Sequence, residues 1–372
     1  AGCREKARGR DGRNARTARA GRRDVDPSNV GRVNTRSDTA LELTHRLLAF
    51  ESVDMTTGKR FFTSNEIRPL AERSDLWGAW LILHCWGTIT LVLALFSYVP
   101  NFLTFVLSIT VIGSRQLGLA ILMHEAAHMA MFKTRGLNEF VGEWLCCRPI
   151  MADLHEYRTY HLKHHRYTQT ELDPDLRLSA PFPTTKASMQ RKLIRDITGQ
   201  TGFKQRSQQI MFAFKMAGEV EDGPSSQDLA QAFSGPVIGR ALMANATLFI
   251  LMWAFGAWWW WLAFWALPLL TWFQLVLRVR NIAEHGVVEK GDDPLRNVRT
   301  TKAGPLMRLF LAPYYVNYHL EHHLVMHVPC HRLPKMHALM LARGHADKMQ
   351  IGQSYWQVLR LAASKPAMPS SA

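Results

Sequence analysis

Tyr318-His319-Leu320-Glu321-His322-His323 places three imidazoles within five consecutive positions of this chain. On a helix, positions i, i+3 and i+4 share one face, so this spacing predicts that the three rings point towards one place. The same pattern occurs earlier, in Tyr160-His161-Leu162-Lys163-His164-His165. The repeat predicts two short helices that each present a set of imidazoles to a common site.

Two further pairs of side chains have the i, i+4 spacing: His124 with His128, and Asn281 with His285. Unpartnered imidazoles are costly to bury, and protonated ones repel each other, so a cationic partner is required. Neutral imidazole is a common metal ligand, and nine ring nitrogens suit two ions that share the set. The predicted metal ligands are His124, His128, His161, His164, His165, Asn281, His285, His319, His322 and His323.

The composition indicates a large apolar interior or a membrane, because 47% of the 372 residues are hydrophobic, with 12 Trp and 18 Phe. The formal charge is +15, and residues 1–36 carry 11 Lys/Arg against 4 Asp/Glu. We expect residues 1–38 to form a disordered basic tail near an anionic membrane surface, and we predict no nucleic-acid partner. Five cysteines without paired spacing favour a reducing compartment.

Long uncharged stretches predict membrane spans. Residues 76–99 contain no charged side chain, and residues 102–123 contain only Arg115. Residues 241–277 are also uncharged, and a break at Gly256 divides them into two spans. A hydrocarbon core takes roughly 20 apolar residues. The sequence therefore predicts four transmembrane helices, with Pro268 kinking the last one.

The predicted architecture is all-α, with the four spans paired in two hairpins and the histidine-rich di-metal site in a helical cap. Lysine and arginine are concentrated outside the turns at Pro100 and Gly256, so the positive-inside rule puts both termini and the cap in the cytoplasm. We predict one membrane domain over residues 39–345, then a C-terminal tail over 346–372.

With its membrane spans and histidine boxes, the chain resembles the integral-membrane fatty acid desaturase and hydroxylase family, in particular its bacterial members. The three boxes are His124-x-x-x-His128, His161-x-x-His164-His165 and His319-x-x-His322-His323, and Asn281-x-x-x-His285 is similar to a further ligand site in acyl-CoA desaturases. The resemblance implies two iron ions, dioxygen as co-substrate, a lipid or fatty-acyl substrate, and a separate electron donor of the ferredoxin, rubredoxin or cytochrome b5 type. It also implies an integral membrane protein, in a bacterium one of the inner membrane.

Carboxylates within and after the ligand segments are predicted to orient imidazoles rather than bind metal. Glu125, Glu284 and Glu321 face away from the imidazole stripe on an ideal helix. The loops Asp173-Pro174-Asp175 and Asp292-Asp293-Pro294 can contact the rings from outside, although turn chemistry alone also explains Asp-Pro. No catalytic side chain is predicted beyond the metal ligands.

Two other activities fit parts of the pattern. A hydroxylase or ketolase of a lipid-like substrate would share the scaffold and the first hydrogen removal. A membrane zinc peptidase would use His124-Glu125-Ala126-Ala127-His128, with the glutamate as general base, but would leave seven histidines without a role. The main prediction is desaturation of a lipid acyl chain.

Overall fold

The structure is a computed structural model that describes residues 60–214 and 235–366, with side chains in the second range from residue 238 onwards. The tail predicted over residues 1–38 lies outside these ranges. The α-helices are α1 (Ser64–Leu70), α2 (Asp75–Tyr98), α3 (Phe102–Ala127), α4 (Arg135–Val141), α5 (Leu154–Tyr167), α6 (Leu176–Ser179), α7 (Lys186–Ile197), α8 (Gln200–Ala213), α9 (Gly235–Phe255), α10 (Leu267–Leu270), α11 (Trp272–His285), α12 (Pro305–Phe310), α13 (His319–Leu324), α14 (Leu333–Ala342) and α15 (Tyr355–Ala362).

Shorter helical and extended segments connect these helices. There are π-helical turns at Gly142–Cys147 and Leu262–Ala266, and 3-10 turns at Arg148–Ile150, Pro313–Tyr315 and Cys330–Arg332. Two-residue strands β1 (Thr300–Thr301) and β2 (Ile351–Gly352) pair in parallel. The prediction of a helical fold is thus confirmed for the described residues.

Four segments of the described chain are long and apolar enough to cross a membrane, as the uncharged stretches predict. They are Asp75–Tyr98, Phe102–Ala127, Ile238–Phe255 and Leu262–His285. The first and third are largely exposed in the isolated protein, with Leu83 64% and Ile250 62% exposed. Such side chains are stable in contact with lipid, which supports a membrane location.

Local capping determines where α2 and α3 begin. The Ser74 hydroxyl accepts the backbone N–H of Trp77, and the Asn101 side chain accepts that of Thr104 at 3.0 Å. These acceptors satisfy amide groups that have no partner inside the helix. Ser108 of α3 donates to the Val92 carbonyl of α2 at 3.2 Å, so the two helices are joined by a polar contact as well as by apolar packing.

The fourth span is interrupted, as the proline predicts. A π-helical turn at Leu262–Ala266 directly precedes α10, which contains Pro268. Proline removes one backbone donor and its ring crowds the preceding turn, and a wider helical turn accommodates both effects. Thr271 then leaves helical geometry (φ −117°, ψ −87°), and α11 begins anew at the next residue. The helix axis can therefore change direction at Thr271, before α11, which carries His285.

The predicted C-terminal tail, residues 346–372, contains two elements of regular structure. They are β2 (Ile351–Gly352) and α15 (Tyr355–Ala362). Val358 and Ala362 are buried, and α15 packs against α11. This part of the chain supports the helix that carries His285, and only the residues after 366 lie outside the description.

We expect Gly142 to be required for the packing of the π-helical turn between α3 and α5. A Cβ at this position would lie 2.5 Å from the Ala126 Cβ and 3.0 Å from a Leu154 methyl group. Gly142→Ala should lower the free energy of unfolding by about 1–3 kcal/mol through overpacking. Gly136→Ala is the matched control, because a Cβ there meets nothing within 4 Å. Thermal unfolding in detergent measures both variants, and equal melting temperatures would contradict the packing argument.

Candidate metal centre

Nine histidines from four regions of the described fold converge on one place. The first group is His124, His128, His161, His165 and His322; the second is His164, His285, His319 and His323. Within each group, one ring nitrogen from every histidine lies within 4.8 Å of the others. The nine residues are the histidines that the spacing of the sequence singles out, and the structure divides them between two centres.

Each histidine triplet is divided between the two groups, which differs from the expectation that its three rings share one target. His161 and His165 of α5 belong to the first group, whereas His164 belongs to the second. In α13 the division is reversed: His322 belongs to the first group, whereas His319 and His323 belong to the second. The i+3 ring is displaced by about 60° around the helix from the i face and by 100° from the i+4 face. That displacement directs it to a neighbouring centre.

The distances between ring nitrogens match those expected around a metal ion. In the first group, the Nε2 of His165 lies 3.0 Å from both His161 Nε2 and His322 Nε2. In the second group, His319 Nε2 lies 2.8 Å from His285 Nε2 and 3.1 Å from His323 Nε2. Two ring nitrogens that each lie about 2.1 Å from the same metal ion, with an angle of about 90° at the metal, are about 3 Å apart. The donor sets therefore fit a metal ion in each group.

Burial and missing hydrogen bonds point to the same conclusion. Both ring nitrogens of His124 and of His128, and the Nε2 of His164, are buried without a hydrogen-bond partner. Burial lowers the pKa of His128 to about 3, and it lowers the pKa of His322 well below its usual value. These rings are neutral at physiological pH, so their lone pairs are available to a metal.

A capped and ion-paired N-terminus positions α5. The Asp153 carboxylate accepts the backbone N–H groups of His155 (2.9 Å) and Glu156 (3.0 Å) and also forms an ion pair with the buried Arg148. Further along α5, Arg158 donates to the carbonyls at the end of α3, including Ala127 O at 2.9 Å. These contacts fix α5 against α3 and so bring their histidines together.

Arg299 and the β1 strand position α11. Arg299 donates to the carbonyl oxygens of Gly286 (2.8 Å) and Val287 (2.7 Å), just beyond the end of α11. Thr301 of β1 donates to Ala283 O of α11 at 3.0 Å. The orphan carbonyls at a helix end need such partners when they are buried. Together these bonds hold the end of α11 in place.

Glu321 fixes α13 from the side that faces away from the metal groups. It is fully buried, accepts a hydrogen bond from the Thr300 hydroxyl and lies 2.5 Å from His337 Nδ1. The Leu320 backbone N–H donates to the same Thr300 hydroxyl at 3.3 Å. Glu321 thus orients its helix without approaching the metal groups in these contacts, which agrees with the role predicted for it.

The other two predicted glutamates behave differently from each other. Glu125 accepts the Cys330 backbone N–H at 2.8 Å, and its other oxygen lies 3.6 Å from His124 Nδ1. Glu284 Oε1 accepts a hydrogen bond from Arg280 Nε at 2.6 Å, while its Oε2 lies 3.4 Å from His319 Nε2. The expectation that Glu284 faces away from the imidazoles is therefore wrong. Glu284, the residue before His285 on α11, reaches a ring of the second group instead.

Of the two acidic loops, one contacts a ligand histidine. Asp173 Oδ1 lies 2.8 Å from His164 Nδ1 and also accepts the Asp175 backbone N–H at 2.8 Å. Burial opposes protonation of His164, but the hydrogen bond that its Nδ1–H donates to the Asp173 carboxylate and the charge of Asp175 raise its pKa above the usual value. Asp293 accepts the backbone N–H of Leu295 at 3.0 Å, as turn chemistry predicts.

Asn281 lines a small cavity of about 30 Å³ beside the second group, together with His164, His285 and His319. Its side-chain oxygen accepts a hydrogen bond from Arg280 at 3.2 Å. The structure thus places Asn281 next to the second group.

Several residues that support the centre carry no signal in the sequence. Arg158, Arg299, Thr300 and His337 act through backbone carbonyls or a distant carboxylate, so no spacing rule marks them. Only Arg158 offers a hint, because it lies one helical turn before His161 on α5. A buried arginine beside a ligand segment is a recognisable candidate for such support.

The helical fold and its paired histidine groups define a membrane protein with a histidine-rich metal centre. Residues 100–355 match the fatty acid desaturase family, so the chain belongs to this family. It is also similar to dihydrorhizobitoxine desaturase of Bradyrhizobium elkanii, with 26% identity over 231 residues. That alignment covers 60% of this chain and 64% of the relative, which is less than two thirds of the relative's length.

We expect Asp173→Asn to weaken the second group selectively. The substitution keeps the size of the side chain but removes the negative charge beside His164 Nδ1, so metal affinity there should fall by about 10–100-fold. The metal content per chain after dialysis against a chelator measures this loss. Asp293→Asn is the matched control in the other acidic loop and should retain its metal. Equal retention in both variants would argue against an orienting role for Asp173.

Proposed function

We propose that the protein is a membrane di-iron desaturase that uses dioxygen and two external electrons to introduce a double bond into the acyl chain of a lipid. The observation that carries this proposal is the division of nine histidines into two adjacent groups within a fatty acid desaturase family member. A single-metal enzyme would not require the second group.

The chain's residues have distinct roles in this proposal. The two histidine groups would hold one iron each, and the chemistry that the irons supply when bound is hydrogen removal from an unactivated C–H bond coupled to reduction of dioxygen. An all-imidazole field also suits zinc or copper, but oxygen chemistry favours iron. Asp173 holds the His164 ring by its Nδ1, which leaves the Nε2 of that ring available to a metal ion.

Asn281 is proposed as a further ligand of the second group, through a water molecule. The first group contains two i, i+4 pairs and the single His322; the second contains one such pair together with His285 and His164. Asn281 precedes His285 by four residues and would complete a second pair, so the two centres would have matching arrangements.

The reaction requires an electron source outside this chain. Removing two hydrogens from the substrate and reducing dioxygen to two waters consumes two further electrons and two protons. No flavin, nicotinamide or haem motif is recognisable in the sequence, so we propose a ferredoxin, rubredoxin or cytochrome b5 type donor with its reductase. The relative from Bradyrhizobium elkanii is a desaturase by name, which favours desaturation over hydroxylation.

The proposed topology has two membrane hairpins with the metal centre on the cytoplasmic side. His124 ends the second candidate span and His285 ends the fourth, so both metal-ligand ends lie on one side if each pair of spans is antiparallel. The net charge of +15 lies mainly outside the turns near Asn101 and Gly256. We therefore propose a protein of the bacterial inner membrane with both termini cytoplasmic.

The zinc peptidase alternative agrees poorly with the contacts. In a zincin, the glutamate of His-Glu-x-x-His must be free to act as a base towards a zinc-bound water. Glu125 instead accepts the Cys330 backbone N–H, and three further histidines surround His124 and His128. A hydroxylase or ketolase would use the same centre and is distinguished by its product.

We expect the purified protein to contain two irons per chain and to convert a lipid acyl chain to a product lighter by two mass units. Turnover should require oxygen, a reductase and a small electron carrier, and mass spectrometry identifies the product. His322→Ala should abolish activity because it removes a ligand of the first group, whereas His345→Ala, which lies outside both groups, should remain active. A gain of sixteen mass units would indicate hydroxylation; one zinc per chain, or turnover with NADH alone, would contradict the proposal.

We expect cysteines introduced near Asn101 and Gly256 to react with a membrane-impermeant reagent added outside intact cells. The turns at these residues should face the periplasm, because both hairpins begin and end in the cytoplasm. Cysteines placed at the exposed residues Arg166 and Lys335, close to the metal groups in sequence, should react only after the cells are opened. Labelling of the second pair in intact cells would exclude the proposed orientation.

A further inference from the structure

A cavity with several polar side chains, separate from the metal groups, lies between the start of α2, the middle of α3 and the segment around α12. Its volume is about 310 Å³. The polar side chains that line it are Arg115, Arg308, His84, His331, Tyr314 and Tyr315. Two guanidinium groups, two imidazoles and two phenols thus surround the cavity, and no acidic residue of the described chain is part of its lining.

Arg115 is the least expected of these groups, because it lies within a candidate membrane span and is only 2% exposed. Its guanidinium donates to the Leu309 carbonyl and lies over the Tyr314 ring, 5.8 Å from the centroid. Its Nε donor is buried without a partner. A charged side chain at this depth is expensive unless it is paired, and such residues commonly mark functional sites.

Arg308 and His331 add further unsatisfied donors around the cavity. Arg308 stacks over the Tyr315 ring at 5.1 Å and donates weakly to the Tyr318 hydroxyl at 3.4 Å, but its Nε is buried without a partner. Both ring nitrogens of His331 are buried and unpartnered, and the ring stacks on Trp77 at 4.8 Å. The cavity therefore combines two guanidinium charges with nitrogen atoms that have no hydrogen-bond partner, an arrangement that favours an anion.

The size and position of the cavity indicate what kind of molecule carries the anion. A volume of about 310 Å³ holds a headgroup but not a long acyl chain. Trp77 and Trp80 line the cavity and remain 46% and 53% exposed, next to the lipid-facing side of α2, where Leu76 is 84% exposed. Tryptophan is enriched at the boundary between lipid and water. An apolar chain attached to the bound headgroup can therefore extend along α2 into the bilayer.

We propose that this cavity binds the anionic headgroup, a carboxylate or a phosphate, of a membrane amphiphile. Arg115 and Arg308 supply the charge and the donors, and the stacked aromatic rings hold the guanidinium planes in position. The site is distinct from the metal groups: Arg115 precedes His124 by nine residues on α3, a rise of about 13 Å, and lies on the opposite face of the helix. The proposal concerns binding only, so it stands or fails independently of the reaction proposed above.

The test compares three probes with the same chain and different headgroups: hexadecanoate, hexadecyl phosphate and hexadecanol. Binding to the purified full chain in neutral detergent is titrated by native mass spectrometry. We expect at least one anion to bind at least tenfold more tightly than hexadecanol. A preference for hexadecanoate would identify a fatty acid as the source of the anion, and a preference for hexadecyl phosphate would identify a phospholipid. Equal affinity for all three probes would overturn the proposal.

Variants assign the preference to this cavity. Arg308→Gln should lower the affinity for the preferred anion at least tenfold and leave that for hexadecanol unchanged, because charge-assisted hydrogen bonds are lost. Arg360→Gln is the matched control: Arg360 also stacks on an aromatic ring at 5.1 Å, that of Trp356, but is exposed and outside the cavity. Arg115→Gln should act like Arg308→Gln, with retained metal content as the check on folding. Wild-type anion affinity in Arg308→Gln would refute the assignment.

Discussion

The structure depends on packing nine imidazoles close together in a space that excludes water. Their burial lowers the pKa of most of them, and neighbouring rings would repel each other if they were charged. The free energy of removing these polar groups from water must be recovered through their lone pairs. Ring nitrogens about 3 Å apart, some of them buried without a hydrogen-bond partner elsewhere in the set, would be stabilised by a cation bound within each group. The two histidine groups are therefore a constraint on the local fold as well as the candidate metal site.

Buried polar contacts around the histidine groups hold the helices that carry them together. Arg158 ties α5 to the end of α3, and Arg299 caps the end of α11. Glu321 links α13 to β1 and α14 through Thr300 and His337. All three are buried charged or polar groups with several partners, so the loss of one leaves others unsatisfied. Short helices that could not persist alone are stabilised in this way.

The sequence predicts the spans and the set of histidines well because both depend on local patterns. Charge-free length identifies a span, and i, i+3, i+4 spacing identifies a helical face. The division of each triplet between two groups could not be predicted, since it depends on how α5 and α13 cross. The same holds for Glu284. An ideal helix turns its side chain away from the imidazoles of α11, but His319 of α13 lies 3.4 Å from it. The ordered region at residues 351–362 was missed because two-residue strands and one short helix carry little signal.

The reversed use of the two triplets makes the metal sites inseparable. α5 gives two rings to one group and one to the other, and α13 does the opposite. If each group holds an ion, binding at one group would order both helices and so favour binding at the other. Adjacent rings on one rigid helix point to different groups, so the geometry of the helix fixes how far apart the two groups lie. Insertion or deletion of one residue in either helix would turn the following rings by about 100° and dismantle both centres at once.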